Sequence, residues 1–227
     1  MQQKTESQKR TLATLGAVAV VFIWSGWIII SRLGVQSVLS PLDITLLRFG
    51  VATLLTAPLW LRLDWRTVNL KQSVCVALFT GFPYTMLSFY GLQSAKAAKA
   101  GVLINGLLPV FGAVLAITLL KTKLKIQQII GICIVIAANG VMLWGSGFSI
   151  SNATQLYGVL FLILASLTYS LYMVYVKAWK FTFKDIVTQV PLINTIFVLP
   201  IWLCVPSHMG EARWEELVLQ GTYQGLI

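Results

Sequence analysis

The apolar run from Ala100 to Leu120 constrains the fold most, because it is long enough to cross a lipid bilayer. At ~1.5 Å rise per residue, about twenty helical residues cover the ~30 Å hydrocarbon core. Inside the run, Pro109 lacks the N–H group that would bond the carbonyl of Asn105, so we predict a kink there. A freed carbonyl and an amide side chain at that depth must face protein or water. The run is therefore predicted to be a helix that lines a cavity; the alternative is a packing kink, with Asn105 bonded to a neighbouring helix.

The composition predicts an all-α, polytopic membrane helix bundle. The chain is 57% hydrophobic and 11% charged, which excludes an ordinary soluble domain. The net charge of +10 does not indicate a nucleic-acid partner, because the basic residues lie in short clusters between apolar runs, as at the cytoplasmic face of a membrane protein.

The apolar runs predict seven complete spans and the beginning of an eighth. Residues 1–11 are polar and are expected to form a disordered cytoplasmic tail. The tail and the second, fourth and sixth connections hold most of the Lys and Arg, which predicts a cytoplasmic N-terminus in a cell (inner) membrane. The eighth run starts at Leu217 and ends with the chain at Ile227, about half a bilayer later. The seven spans are Leu12–Ser31, Asp43–Trp60, Ser73–Gly91, Ala100–Leu120, Ile126–Gly145, Leu156–Val176 and Ile186–Val205.

An internal repeat emerges when the chain is shifted over itself so that Asp43 falls on Asp185. The same shift places Pro58 on Pro200 and the Trp-Leu pair at 60–61 on the pair at 202–203. A unit of five helices is odd, so the second unit enters the membrane from the opposite side, as in many secondary transporters. We therefore expect a complete first unit, residues 12–145, and the start of an inverted second unit, residues 156–227. Extending the repeat predicts a full protein of about 290 residues, with three helices more.

Two aspartates begin spans in matching positions. Ser40-Pro41 precedes Asp43, and Thr182 precedes Asp185, with the spacing of an N-cap residue and an acidic third position. Both carboxylates lie beside the positive end of a helix dipole. They are interpreted as structural caps rather than proton carriers.

Arg48 is the one charged residue more than a turn inside a predicted span. A charged side chain there costs at least ~2.5 kcal/mol on insertion scales unless it snorkels, pairs or faces water. Two roles stay open for it: snorkelling to the outer interface, or holding an anionic or carboxylate-bearing substrate.

Aromatic residues deep in the spans are the other candidates for a binding pocket. Trp24, Tyr84 and Tyr169 each offer an apolar face and a polar tip, which suits partly apolar metabolites. Trp60 and Trp202 fit better in an interfacial aromatic belt. Two further polar residues, Gln189 and Asn194, need partners in the bundle interior.

The residues give no basis for enzyme activity, a cofactor or a metal site. No phosphate-binding Gly-rich loop ends in Gly-Lys-Ser/Thr, and the lone His208 has no nucleophile or ligand set around it. No carboxylate lies at mid-membrane depth, so proton coupling has no candidate residue in the sequence given.

Several short motifs together resemble the drug/metabolite transporter superfamily, EamA type. They cover the first unit in order and begin with Ile23-Trp24-Ser25-Gly26. The others are Ser40-Pro41 followed by Arg48, Tyr90-Gly91-Leu92, Ala97-Ala98-Lys99-Ala100 leading to Pro109, and Gly131 with Gly140. The resemblance implies a ten-helix inner-membrane carrier, often an exporter, with a central cavity between two units. Where the family usually places Gly-Glu after the fourth helix, this chain has Lys121-Thr122.

We therefore expect a secondary transporter, and more specifically an exporter, of small amphipathic metabolites or drugs by alternating access. The predicted partners are a small-molecule substrate and the lipid bilayer, without nucleic acid. A second copy of the chain could supply the missing cavity wall as a homodimer. The rival is a non-transporting membrane fragment with a structural or interaction role. Residues expected to line the site are Trp24, Arg48, Tyr84, Asn105 and Tyr169, with Pro109 shaping the kink.

Overall fold

The computed structural model of the protein describes residues 2–94, 97–145 and 153–226. These residues form helices joined by short connections, and no strand occurs among them. The helices are α1 Gln2–Val35, α2 Pro41–Leu55, α3 Ala57–Trp60, α4 Leu70–Thr80, α5 Phe82–Ser94, α6 Ala97–Thr118, α7 Ile126–Gly145, α8 Ala153–Ala178, α9 Phe183–Leu203 and α10 Trp214–Leu226.

The outer surface of the bundle is apolar. Phe22 on α1 is 74% exposed and Ile134 on α7 is 62% exposed, with many aliphatic side chains around them. Such a surface is stable where lipid replaces water. Five helical segments within the described part are long and apolar enough to span a bilayer, which confirms the polytopic helix bundle. They are Arg10–Val35, Leu70–Ser94, Lys99–Thr118, Ala153–Ala178 and Phe183–Leu203.

Two predicted spans are each broken into two helices. The second span breaks at Thr56, between α2 and α3, and the third breaks at Gly81, between α4 and α5. A proline follows each break by two residues, at Pro58 and Pro83, and each proline removes one helical hydrogen bond. At the first break, both the N–H and the hydroxyl of Thr56 donate to the carbonyl of Ala52, one turn earlier.

The predicted disordered tail is wrong in the structure, because α1 begins at Gln2 and runs without a break to Val35. The tail lacks Pro and Gly and consists of residues that favour or tolerate helix, so the helix begins before the apolar span Arg10–Val35. The helix α6 runs through Pro109, from Ala97 to Thr118, and the kink expected there stays a prediction.

Side-chain hydrogen bonds establish the relative directions of the spans. Ser166 on α8 donates to the carbonyl of Ile104 on α6, and Ser170, one turn later, donates to Leu108. A step of four residues along α8 thus corresponds to a step of four residues in the same direction along α6, so the two helices are parallel. The predicted fourth and sixth spans are also parallel, because they cross the membrane in the same direction. By contrast, α2 and α9 are antiparallel: Asp43 at the beginning of α2 contacts Trp202 at the end of α9, and Thr53 near the end of α2 contacts the earlier residue Thr195.

Capping boxes begin α2 and α9, which confirms the predicted caps. Ser40 and Asp43 bond each other's backbone N–H groups, and Thr182 and Asp185 do the same. We call the end of the bundle where α2 begins and α9 finishes the Asp43 end, and the opposite end the Asp185 end.

The two ends differ in what their aspartates contact. Asp43 is fully buried, and its Oδ1 accepts hydrogen bonds from Trp202 Nε1 at 2.7 Å and Ser207 Oγ at 2.7 Å. Trp60, which matches Trp202 in the predicted repeat, instead donates to the carbonyl of Thr53 on its own polypeptide segment. Asp185 bonds its cap, Thr182, and is not covered by a tryptophan among the described residues. At the Asp43 end the Trp202–Asp43 bond joins α9 to α2, and among the described residues no equivalent bond from Trp60 to Asp185 joins the two helices at the Asp185 end.

Lys121 adopts a left-handed backbone conformation just after α6. Its φ is 51°, and the next residue, Thr122, donates its N–H to the carbonyl of Ala116. The two bonded residues are six positions apart, one more than in a Schellman motif, and glycine would fill the left-handed position at this helix end without steric cost. The glycine that the resemblance places here thus has a backbone reason, and lysine occupies its position under strain.

Candidate functional site

Two adjoining cavities lie inside the bundle and share Arg48 and Thr80. The smaller, which we call the aromatic cavity, has a volume of about 140 Å³ and is lined by Ile23, Trp24, Trp27, Arg48, Thr80, Tyr84 and Tyr169. The larger, which we call the wide cavity, has a volume of about 360 Å³. It is lined by Arg48, Phe49, Ala52, Leu55, Thr56, Thr80, Tyr172, Ile186, Val187, Val190, Pro191, Gln224, Gly225 and Leu226.

The aromatic cavity brings together four of the five residues predicted to line a site. The rings of Trp24 and Tyr169 meet edge to face, with centroids 5.4 Å apart. Tyr84 lies 5.0 Å from Tyr169 and stacks on Trp27 at 5.9 Å. These contacts join α1, α5 and α8, and aromatic pairs in such geometries attract beyond simple burial. Arg48 completes the set from α2.

Arg48 is held by neutral groups. Its guanidinium donates to Gln224 Oε1 at 3.0 Å and lies 5.7 Å from the centroid of the Trp27 ring and 5.8 Å from that of Phe49. No carboxylate of a described residue forms an ion pair with Arg48. The ion pairs of the described residues lie elsewhere, between His208 and Glu211 and between Arg213 and Glu216. Its position on both cavities supports the binding role over snorkelling.

Gln224 on α10 and Trp27 on α1 are residues of this site that were not among those predicted to line it. Gln224 Oε1 accepts from Trp27 Nε1 at 2.8 Å as well as from Arg48, and Gln224 Nε2 donates to Ser31 Oγ at 2.8 Å. One turn earlier, Gln220 donates to the carbonyl of Ile30. The signal in the sequence was the pair of glutamines four residues apart in an apolar run, which places both on one face of a helix.

The break at Gly81 lies beside both cavities, and Asn194 of α9 closes it. Asn194 Oδ1 accepts from the N–H of Phe82 at 2.8 Å, and its Nδ2 donates to the carbonyl of Ala77 at 2.9 Å. One amide thus pairs backbone groups on both sides of the interruption, which a lipid environment requires. Gln189 similarly accepts from Ser73 at 2.6 Å. The expectation that both polar side chains have interior partners is confirmed.

Asn105 does not join the other predicted residues. It is absent from the lining of both cavities, and its Oδ1 is buried without a hydrogen-bond partner among the described residues. Next to it, the carbonyl of Gly106 accepts from Asn139 of α7. Pro109 is exposed. Asn105 and Pro109 are therefore not part of the aromatic cavity, and the backbone around them bonds side chains of α7 and α8.

The wide cavity extends from Arg48 toward the Asp185 end. Leu55 and Thr56 line it at the finish of α2, and Ile186 and Val187 line it at the beginning of α9. At the Asp43 end, the bond from Trp202 to Asp43 joins the same two helices. The arrangement can admit a small molecule from one end while the other end is held together.

Comparison with known proteins gave one family. The model of the EamA-like transporter family matches residues 11–144. No curated protein and no solved structure matches the chain.

Proposed function

The chain belongs to the EamA-like transporter family, and we propose that it is a secondary carrier that exports small amphipathic metabolites or drugs by alternating access. As a member it is a membrane transporter of the drug/metabolite transporter superfamily. The observation that carries the finer proposal is the wide cavity, which is bounded by α2 and α9 at the Asp185 end, while a Trp202–Asp43 bond joins these helices at the Asp43 end.

An inverted repeat of residues 12–145 and 156–227 is the first part of the proposal. Support comes from Thr53 and Thr195, whose hydroxyl oxygens are 2.8 Å apart and whose positions differ by 142. The same difference separates the two capping aspartates. Equivalent helices that run antiparallel and meet at equivalent residues are what a pseudo-two-fold axis in the membrane plane requires.

Alternating exposure follows from that symmetry. The repeat pairs the Trp202–Asp43 bond with a second bond, Trp60 to Asp185, which is absent in this conformation because Trp60 bonds Thr53. We propose that the other state exchanges them: Trp202 releases Asp43, and Trp60 turns to Asp185. Two packings of similar energy related by symmetry provide the bistable element that alternating access needs.

Export is the direction favoured by the predicted topology. With the N-terminus in the cytoplasm, the Asp185 end faces the cytoplasm, and the wide cavity loads from there. Its volume of about 360 Å³ lies in the range of small-molecule pockets. The mixture of rings, hydroxyls and one cation fits solutes that have both apolar and polar parts.

Solute counterflow tests the proposal in proteoliposomes that hold the purified 227-residue chain. Entrapped amino acids and anionic, neutral and cationic drugs are screened one at a time. A second experiment uses a variant that can be cross-linked at the Asp43 end. It carries Asp43→Cys and Ser207→Cys, with Cys75, Cys133 and Cys204 replaced by Ser. We expect counterflow of at least one solute, its loss when an oxidant closes the disulfide, and its return on reduction.

The Ser207→Cys single variant in the same background is the control and should transport under both redox conditions. Transport that survives the cross-link would contradict alternating access at these ends. A chain that moves no solute in the screen would favour the rival, a non-transporting membrane protein.

A further inference from the structure

We propose that the solute is a small organic anion whose carboxylate pairs with Arg48 and whose apolar body, about the size of one aromatic ring, lies against Trp24, Tyr84 and Tyr169. The inference rests on the proposed function, since it assigns a substrate class to the same site.

The charge of the site is unbalanced. The chain has seven Asp and Glu residues, and none lines the aromatic or the wide cavity. Within the described ranges, the contacts of the Arg48 guanidinium are an amide oxygen and two rings. An unpaired cation within a membrane bundle is costly, and a bound anion offsets that cost.

The guanidinium has donors to spare. Arginine carries five N–H groups, and in this structure Nη1 of Arg48 donates to Gln224 Oε1. A carboxylate takes two parallel N–H groups in a fork, which combines charge pairing with a fixed orientation. Gln224 is itself held by Trp27 and Ser31, so the guanidinium is positioned before a ligand arrives.

The same lining disfavours cations. An ammonium group in either cavity would meet Arg48 and no carboxylate of the described chain. Like charges in a poorly solvated site repel strongly. The three rings of the aromatic cavity, in contrast, offer an apolar surface adjoining the guanidinium in a space of about 140 Å³. Charge and shape thus point to an anionic head and a ring-sized body.

Equilibrium binding of tritiated phenylacetate tests the inference directly. The 227-residue chain is placed in nanodiscs of phosphatidylcholine, which has no net charge, so an anionic lipid cannot serve as the ligand. Unlabelled phenylacetate, phenylacetamide and phenethylamine compete in separate titrations. We expect the acid to compete at least about tenfold better than the amide, and the amine to compete least.

Variants assign the effect to the guanidinium. Arg48→Gln should weaken phenylacetate binding about tenfold or more, and Arg48→Lys should weaken it less, because lysine keeps the charge and loses the fork. Arg66→Gln, at an exposed position in the connection after α3, should bind as the unaltered chain does. Thermal unfolding checks that each variant folds. If Arg48→Gln does not fold, the inference is tested by phenylacetate binding to Arg48→Lys and by the ratio of acid to amide competition in the unaltered chain.

Equal competition by the amide or the amine overturns the inference, and so does unchanged binding by a folded Arg48→Gln. Absence of phenylacetate binding also overturns it. The proposed function stands independently in that case if counterflow detects a neutral or cationic solute. Acid-selective binding without counterflow supports the anion site and contradicts the carrier.

Discussion

The hydroxyl groups of Thr53 on α2 and Thr195 on α9 share one hydrogen bond, 2.8 Å long, in which either of them can be the donor. Their positions differ by 142, which is also the shift that superposes Asp43 on Asp185 in the sequence. Residues related by a two-fold axis contact each other only where they lie close to it. The bond therefore marks where an axis relating the two proposed units would pass.

The Thr53–Thr195 bond should appear as coupling in a double-mutant cycle. Thr53→Val and Thr195→Val each remove a hydroxyl and keep the shape of the side chain. Either change should therefore lower the unfolding free energy by about 1 kcal/mol less in the other variant than in the unaltered chain. Unfolding free energies in mixed micelles measure this. As a control, Thr53→Val is paired with Thr118→Val, whose hydroxyl bonds the Val114 carbonyl of its own helix and should show additive effects.

The two capping aspartates should differ in their contribution to stability. Asp185→Ala removes an N-cap partner and should cost about 0.5–1 kcal/mol of unfolding free energy. Asp43→Ala also leaves Trp202 Nε1 and Ser207 Oγ without their acceptor, so it should cost about 2–3 kcal/mol. The two variants are matched controls for each other, and equal losses would show that the additional bonds contribute nothing.

A methyl group at Gly81 should destabilise the protein. A Cβ built there overlaps the side-chain amide of Asn194, so Gly81→Ala should cost about 1–3 kcal/mol of unfolding free energy. Gly50→Ala on α2 is the control, because nothing lies within 4 Å of its Cβ position; it should be neutral or gain up to about 1 kcal/mol from helix propensity. Thermal unfolding of both variants gives the comparison, and a neutral Gly81→Ala would mean that the amide moves freely.

Lys121→Gly should stabilise the chain. A residue with a side chain pays about 1 kcal/mol for a φ of 51°, and glycine does not. Glycine also makes the unfolded chain more flexible, which offsets part of this stabilisation. We expect a net gain of about 0.5–1 kcal/mol in unfolding free energy. Lys123→Gly, in the same connection, does not have a positive φ and should not stabilise. A loss in both variants would contradict the strained-cap interpretation.

Hydrophobic length predicted the spans well where the helices are continuous. The predicted Ile126–Gly145 has the bounds of α7, and α6, α8 and α9 differ from prediction by a few residues at either end. The breaks at Thr56 and Gly81 were missed, since proline alone does not indicate them: α9 continues through Pro191 and Pro200. What distinguishes Gly81 is a cap from Asn194, a tertiary contact that local pattern does not contain.

Depth within a span predicted the site residues only in part. Trp24, Arg48, Tyr84 and Tyr169 converge because each lies on a helix face that turns toward the interior. Asn105 has similar depth, yet it lines neither cavity, and the carbonyl of the next residue, Gly106, accepts from Asn139 of α7. Gln224 was missed because a polar residue near the end of the sequence has no visible partner until α10 packs against α1 and α2.

Because the amide of Asn194 fills the space beside Gly81, the residues allowed at positions 81 and 194 depend on each other. Position 81 accepts no side chain while asparagine fills the gap, and asparagine is required at 194 while the chain is interrupted at 81. Relatives should therefore carry glycine with asparagine, or exchange both together for a continuous helix and an apolar residue. A substitution at only one of the two sites should be rare, even though 112 residues separate Phe82 from Asn194 in the sequence.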